Sequence, residues 1–325
     1  MTLVLTYSEI AGLLDRDQIH KAIESAFTGL ALGDYRNPAP HALALPDDGI
    51  ALPMVATGGG LTVVKLLSDV PANRERDLPT QRSTIMVTSA VTGACVAILD
   101  GRAVTAIRTA AASAVATDHL ARQSASVLGL VGAGNLAVQH AYAVAAVRDI
   151  TRIVVWSRSN DTVDTFRART GDLGIPVDSV PAPVDVFDRA DIVCTLTPSK
   201  DPIASGRWFR PGQHINAVGA PPRPDHREID ADGMRRARLI VDSTPTVLAK
   251  SGGVLLAIAE GAITANDVGT ELGDVIAGRA TGRQSDFDIT LFESVGLGLQ
   301  DLATARLVVD RALNEGIGAR IELSC

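Results

Sequence analysis

The sequence predicts an α/β protein in which a doubly wound parallel sheet is inserted into a second, α+β unit. The 325 residues exceed what one compact core usually holds and indicate about two domains. From residue 126 onward, short apolar strands alternate with helical patterns, which is typical of a parallel sheet with crossover helices. Before that point, apolar runs separated by Gly, Pro and Asp turns predict a mostly antiparallel sheet.

The first unit begins with an amphipathic helix over residues 17–27, where apolar side chains recur at helical spacing. An Ala-rich helix over residues 105–120 leads from this unit into the parallel sheet, with Arg108 and Thr109 near its start. The strands predicted between the two helices are residues 41–45, 61–67, 81–88 and 94–99.

A glycine turn between a buried strand and a helix start indicates a dinucleotide site. The strand over residues 126–131 is followed by Gly132, which permits a tight turn, and by Gly134, which lets backbone N–H groups approach phosphates. Ala137 is small enough for the helix to lie close on the strand. A second strand over residues 152–156 completes a βαβ unit, so a Rossmann-like domain is predicted.

The alternation of strand and helix continues beyond this unit. Helices are predicted from Thr162 and Pro183, and a last helix over residues 292–312. The further strands are predicted at Val177 and over residues 191–197, 214–219 and 237–242.

Composition and charge exclude several classes of partner. A net charge of −7 gives no reason to expect nucleic acid or anionic lipid. No stretch has the order of a signal peptide or the apolar length of a membrane span. Cys95, Cys194 and Cys325 have neither disulfide nor metal-ligand spacing, so they are predicted to be packing residues of a cytoplasmic protein without a metal.

Several motifs together resemble the ornithine cyclodeaminase/μ-crystallin family over nearly the whole chain. They are Arg108-Thr-Ala-Ala-Ala-Ser-Ala, Val131-Gly-Ala-Gly, Asn216-Ala-Val-Gly-Ala, Glu271-Leu-Gly-Asp-Val-Ile-Ala-Gly-Arg, and Phe292-Glu-Ser-Val-Gly with Gln300-Asp-Leu-Ala-Thr-Ala. The resemblance implies a homodimer. It also implies a substrate-binding and dimerisation domain over residues 1–119 plus 300–325, and a Rossmann-like NAD(P)-binding domain over residues 120–299.

The resemblance further implies hydride exchange between a nicotinamide and the α-carbon of an amino or imino acid. We expect an NAD(P)H-dependent oxidoreductase that reduces the C=N bond of a cyclic or linear ketimine, or catalyses the reverse amino-acid dehydrogenation. Two alternatives stay open: ornithine cyclodeamination to proline, and a μ-crystallin-like protein that binds NADPH and a small ligand without turnover.

Lys65 and Arg108 match the family's lysine and arginine and are predicted to be catalytic. Arg offers a planar fork for a carboxylate, whereas a desolvated Lys can also relay a proton. His41, Met54 and Asp301 complete the predicted substrate contacts. Many family members have an arginine near His41, so the histidine indicates either a different substrate head group or a contact from the nearby Arg36. An ordinary surface position for His41 is an equal alternative.

The end of the second parallel strand favours NADP(H) over NAD(H). Ser157, Arg158 and Ser159 follow Trp156 where an NAD site commonly has a carboxylate for the ribose, although Asp161 could still serve that role. The predicted cofactor contacts are Thr109, Gly132, Ala133, Gly134, Asn135, Leu136, Ser157, Arg158, Ser159, Thr195, Thr197, Val218, Gly219, Ser294 and Val295.

One position departs from the cyclodeaminase pattern. Pro221 stands where a cyclodeaminase has a catalytic aspartate two residues after the glycine that matches Gly219. A proline ring cannot act as general acid or base, so the departure argues against cyclodeamination. Asp225 is a candidate to replace the missing aspartate. With Glu228 three residues later, however, it is better interpreted as the cap of a helix.

Overall fold

The computed structural model describes residues 1–323, so Cys325 lies outside the described residues. Numbered along the chain, the strands are β1 (Thr2–Leu5), β2 (Tyr35–Arg36), β3 (Leu43–Ala44), β4 (Ile50–Gly58), β5 (Leu61–Asp69), β6 (Gln81–Ser89), β7 (Cys95–Asp100), β8 (Val127–Val131), β9 (Arg152–Trp156), β10 (Val177–Ser179), β11 (Ile192–Thr195), β12 (His214–Ala217), β13 (Arg238–Val241), β14 (Thr290–Glu293) and β15 (Ala319–Ile321). The helices are α1 (Tyr7–Leu13), α2 (Arg16–Leu32), α3 (Gly101–Leu120), α4 (Asn135–Ala145), α5 (Asn160–Thr170), α6 (Pro183–Arg189), α7 (Ala231–Arg236), α8 (Thr244–Lys250), α9 (Gly252–Ala259), α10 (Leu272–Ile276) and α11 (Gly298–Glu315).

The chain divides into two compact units. Unit 1 comprises residues 1–108 and the chain from residue 296 onward, and unit 2 comprises residues 109–295. The predicted boundaries lie at 119/120 and 299/300. The first boundary differs because α3 is continuous across it, so the sequence pattern has no break at residue 108.

Unit 1 is built on one sheet with the strand order β15-β1-β7-β6-β5-β4-β2, and β3 pairs with β4. Every pair is antiparallel except β1 with β7, so the predicted mostly antiparallel sheet is confirmed. The prediction missed β1, β2, β4 and β15, and the strand predicted over residues 41–45 is only the two-residue β3. Helices α2 and α11 pack together, and α11 also packs on β4 and β5.

Unit 2 is a seven-stranded, fully parallel sheet in the order β10-β9-β8-β11-β12-β14-β13. Two clusters of buried apolar residues form its core. The chain order reverses direction between β8 and β11, and such a switch point is where doubly wound sheets bind their ligands. The predicted Rossmann-like α/β fold is confirmed.

The predicted helix over residues 292–312 is wrong at its start. Thr290–Glu293 is the strand β14, fully buried between β12 and β13, and the helix begins only at Gly298. Gly296 lies between the two elements with φ of +77°, a conformation that favours glycine. A short apolar run has no periodicity that separates a buried strand from a helix, which explains the error.

Two observations bear on the predicted partners and cysteines. Cys194 is buried and Cys95 is half-buried, and both are free thiols. Among residues 1–323, no helix combines the length and apolar character needed to cross a membrane.

Candidate active site

Unit 1 contains a buried cluster of three charged side chains that were predicted to bind substrate. Lys65 lies in the middle of β5, and its Nζ donates hydrogen bonds to Thr105 Oγ1 (2.7 Å) and Asp301 Oδ1 (3.3 Å). Arg108 Nε lies 3.4 Å from the same Asp301 oxygen. Lys65 and Asp301 are fully buried and Arg108 is 5% exposed. Two cations therefore share one carboxylate, which leaves this group with one net positive charge.

Three elements of unit 1 hold these side chains. Arg108 is two turns into α3, and Asp301 is in the first turn of α11. The start of α11 is fixed by Asn37, whose Oδ1 accepts a hydrogen bond from Leu299 N (2.9 Å). A side chain at Gly298 would meet the backbone of Val55 in β4 within 3.1 Å, so the helix packs directly on the sheet.

Gln300, which the site prediction missed, belongs to the same cluster. Arg108 Nη1 donates to Gln300 Oε1 at 2.6 Å. Gln300 Nε2 and Asp301 Oδ2 are buried, and neither has a hydrogen-bond partner among the described residues. Buried polar atoms seldom stay unsatisfied, so this donor and this acceptor fit a polar ligand. The one sequence signal for Gln300 is that it is adjacent to Asp301 in the first turn of α11.

The buried charges shift the acidity of Lys65. Burial lowers the pKa of Lys65 from 10.5 to about 8 and the Arg108 charge adds to this shift, while Asp301 opposes it. Lys65 is therefore largely protonated at pH 7 and loses its proton as the pH rises through about 8. A group with this pKa is suited to transfer a proton near neutral pH.

The other two predicted substrate residues have different surroundings. Met54 is directly opposite Lys65 in the β4–β5 pair and is 3% exposed, so it lies on the same face of the sheet beside the lysine. His41 is exposed and precedes β3. Among the described residues, no hydrogen bond or ion pair joins His41 to the charged cluster.

Unit 2 contains a turn that fits a dinucleotide. Gly132 has φ of +112°, and a side chain there would lie 3.0 Å from Leu196 O. Gly134 precedes α4, has open space around its Cα, and no side chain caps the first N–H groups of the helix. A cavity of about 280 Å³ adjoins Gly134, Asn135 and Asp161. Free N–H groups at a helix start beside open space suit a pyrophosphate.

The predicted cofactor residues follow the carboxyl ends of five adjacent strands. Because these strands are parallel and in register, their ends meet at one edge of the sheet. The residues after β9 are Ser157, Arg158 and Ser159; after β8, Gly132 to Leu136; at and after β11, Thr195 and Thr197; after β12, Val218 and Gly219; and after β14, Ser294 and Val295.

Thr109 differs from these residues. Because α3 begins at Gly101 and not near residue 105, Thr109 lies inside the helix and is buried. Its backbone N–H lies within the continuous helix, so the Arg108–Thr109 pair does not form a helix start that could bind phosphate.

The predicted helix cap at Asp225 is wrong. No helix begins there, and α7 begins at Ala231 with Asp230 as its cap. Asp225 instead lies in an exposed loop, 3.1 Å from Lys200 Nζ and 2.9 Å from His226 Nδ1. An Asp three residues before a Glu is a short pattern that also occurs in ordinary loops. In a loop the Asp can pair with cations at the surface instead of capping a helix.

Comparison with known proteins identifies the family. The model of the ornithine cyclodeaminase/mu-crystallin family matches residues 1–316. The chain belongs to this family. An alanine dehydrogenase of Archaeoglobus fulgidus is 34% identical over 322 residues, which cover 99% of this chain and 98% of that protein.

Two solved structures of similar proteins have the same fold throughout. The Δ1-pyrroline-2-carboxylate reductase of Thermococcus litoralis, in complex with NADH and L-proline, has a TM-score of 0.94 and 32% identity, covering 98% of this chain and 100% of that one. An archaeal alanine dehydrogenase dimer with bound NAD has a TM-score of 0.94 and 33% identity, covering 99% of both chains.

Proposed function

We propose that this family member reduces the C=N bond of a small imino acid with NADPH, and that the unit 1 cluster binds the substrate. The observation that carries this proposal is the pair of buried, unsatisfied atoms next to two cations. Gln300 Nε2 is a donor suited to a carboxylate, and Asp301 Oδ2 is an acceptor suited to the N–H group that the reduction forms. In an α-amino acid these two groups are bonded to the same carbon atom.

The activity class predicted from the sequence is confirmed by the relatives. They are an alanine dehydrogenase and a Δ1-pyrroline-2-carboxylate reductase, and both match this chain from end to end. The protein is accordingly an NAD(P)-dependent oxidoreductase of amino and imino acids. The substrate itself, the choice between NADPH and NADH, and the roles of individual residues are proposals.

In the proposed reaction, a bound NADPH would supply the hydride that the imine carbon accepts. Arg108 and the net positive charge of the cluster hold the substrate carboxylate. Lys65 Nζ gives its proton to the imine nitrogen, so that the C=N bond becomes a CH–NH bond and Lys65 is left neutral. Asp301 holds Lys65 in place through its 3.3 Å contact and favours the protonated form before transfer. Water then returns a proton to Lys65.

The choice of NADPH rests on the end of β9. Arg158 and Ser159 are exposed there, and no carboxylate occupies residues 157–159. Arginine is suited to a ribose 2′-phosphate, whereas a carboxylate would repel it. Asp161 at the nearby cavity is the competing feature, since it could bind ribose hydroxyls.

We also propose a homodimer, as in the archaeal alanine dehydrogenase structure. On the face of the unit 1 sheet opposite Lys65, the neighbouring strands β5 and β6 expose Leu66 (47%) and Met86 (40%). Exposed apolar side chains on a sheet are suited to association with a second copy. A solution mass of 33.9 kDa, that of one chain, would contradict this proposal.

An assay of dinucleotide oxidation against cyclic and linear imino acids tests the function. We expect turnover with at least one imine and a lower KM for NADPH than for NADH. Ornithine with NAD is the control for cyclodeamination, and proline with ammonia from it would contradict the proposal. Binding of NADPH with no turnover of any imine would instead support a binding protein. Equal KM values for the two dinucleotides would contradict the role of Arg158.

A further inference from the structure

We infer that Glu228 is a positioning residue for the dinucleotide site, holding two loops at the edge of the unit 2 sheet in one fixed arrangement. The inference rests on the proposed function, because it assigns these loops to the cofactor. Glu228 was not among the predicted site residues. It lies in the loop between β12 and α7 and is 3% exposed.

The carboxylate accepts four hydrogen bonds from two loops. Its Oε1 accepts from Thr197 N (2.6 Å) and Thr197 Oγ1 (2.8 Å), in the loop after β11. Its Oε2 accepts from Thr195 Oγ1 (2.9 Å), at the end of β11, and from Gly219 N (2.6 Å), after β12. One side chain therefore joins three residues that were predicted to contact the cofactor.

The position of the carboxylate is itself fixed by the backbone. Glu228 O accepts hydrogen bonds from Ile203 N (2.8 Å) and Ala204 N (2.9 Å), and Ala204 forms a parallel bridge with Ile229. The two loops that Glu228 joins are also closely packed, since a side chain at Gly219 would collide with the backbone of Leu196 and Thr197. The arrangement leaves the loop ends little freedom to move.

A buried carboxylate is costly, which makes this arrangement informative. Removing a charge from water is unfavourable unless hydrogen bonds replace hydration. Burial raises the pKa of Glu228, and the four hydrogen bonds oppose that shift. Water could satisfy the same donors at an open sheet edge. A carboxylate that joins both loops instead holds them in one arrangement before the cofactor binds, which lowers the entropic cost of binding.

Glutamine is the informative substitution. Its amide retains one oxygen but places an NH₂ group against either Thr197 N or Gly219 N, and both of these are donors. One of the two loops is therefore released while the size of the side chain is kept. We expect Glu228→Gln to raise the Kd for the dinucleotide about tenfold, with less than a twofold change in KM for the imine.

Asp230 provides a matched control in the same unit. Its carboxylate accepts hydrogen bonds from Gly206 N (2.8 Å), Gly233 N (2.8 Å) and Ser205 Oγ (2.7 Å). None of these three residues is a predicted cofactor contact. Asp230→Asn should lower the melting temperature but leave the dinucleotide Kd within twofold of the wild-type value. An equal loss of dinucleotide affinity in both variants would overturn the inference, because it would indicate general destabilisation.

The experiment titrates NADPH into each full-length protein and measures Kd by calorimetry, with imine KM measured separately. If Glu228→Gln does not fold, the Kd of Glu228→Asp is measured instead. Its shorter side chain keeps the charge but cannot reach both loops. A Kd raised at least threefold supports the inference, and an unchanged Kd overturns it. Failure of the wild-type protein to reduce imines would contradict the proposed function. If the wild-type protein binds NADPH and the variant has the same Kd, only the role of Glu228 is contradicted.

Discussion

Replacement of Lys65 by methionine is expected to lower kcat/KM for imine reduction about 10³-fold, the usual range for loss of a general acid. Methionine keeps the length and apolar stem of the side chain. The remaining Arg108–Asp301 pair is neutral overall, so the substitution leaves no unpaired buried charge and the fold should persist. Because Lys65 belongs to the substrate cluster of unit 1, the Kd for NADPH should change less than twofold.

Lys21 is the matched control, since it is one of only four lysines in the chain and is exposed on α2. Lys21→Met should leave kcat/KM unchanged. A loss of NADPH affinity in Lys65→Met that matches its loss of turnover would show that the lysine is structural.

The pH dependence gives the same prediction a second readout. With a lowered pKa of about 8, Lys65 is protonated below pH 8 and neutral above it. Imine reduction should therefore decline as the pH rises through about 8, whereas amino-acid oxidation, which needs a neutral base, should increase. The guanidinium of Lys65→Arg does not release its proton, so this variant should have low activity that lacks the decline. A decline that persists in Lys65→Arg would assign the titration to another group.

Replacement of Arg108 by alanine is expected to lower kcat/KM by about 10²–10³-fold, mainly through a higher imine KM. Truncating one partner of a buried, hydrogen-bonded ion pair typically costs about 2–5 kcal/mol. The variant removes the planar fork for the substrate carboxylate and leaves Gln300 Oε1 without its 2.6 Å donor. Arg108→Lys should not restore activity, because an ammonium group cannot reproduce bidentate binding.

Arg102 is the control for this prediction, because it lies on the same helix but is exposed, 4.1 Å from the centre of the Tyr7 ring. Arg102→Ala should retain the wild-type imine KM. If Arg108→Ala weakens NADPH binding as much as imine binding, the proposed carboxylate role is wrong.

Much of the fold could be predicted because local patterns in the sequence match the elements that form. The glycine turn at Gly132 and the regular succession of apolar strands identified the parallel sheet. The errors occur where tertiary contacts decide the conformation. Thr290–Glu293 is a strand because it pairs with β12 and β13, and the sequence alone carries no signal for those partners.

Lys65 and Arg108 of the proposed site were predicted through a family resemblance. Lys65 and Arg108 both contact one oxygen of Asp301 because β5, α3 and α11 pack together. The sequence does not reveal this contact, since Asp301 lies 236 residues from Lys65. Gln300 and Glu228 were missed for the same reason. Their partners are distant in sequence, and only Gln300, which is adjacent to Asp301, has a local signal for a role in the site.

Transfer of hydride to an imino acid is the central claim, and isotope transfer measures it directly. NADPH deuterated at the transferred position of nicotinamide C4 should give an amino-acid product with one deuterium at the α-carbon, detected by mass spectrometry. Lys65→Met should form this product far more slowly. A product without deuterium, or proline and ammonia formed from ornithine with no net change in the dinucleotide, would contradict the account.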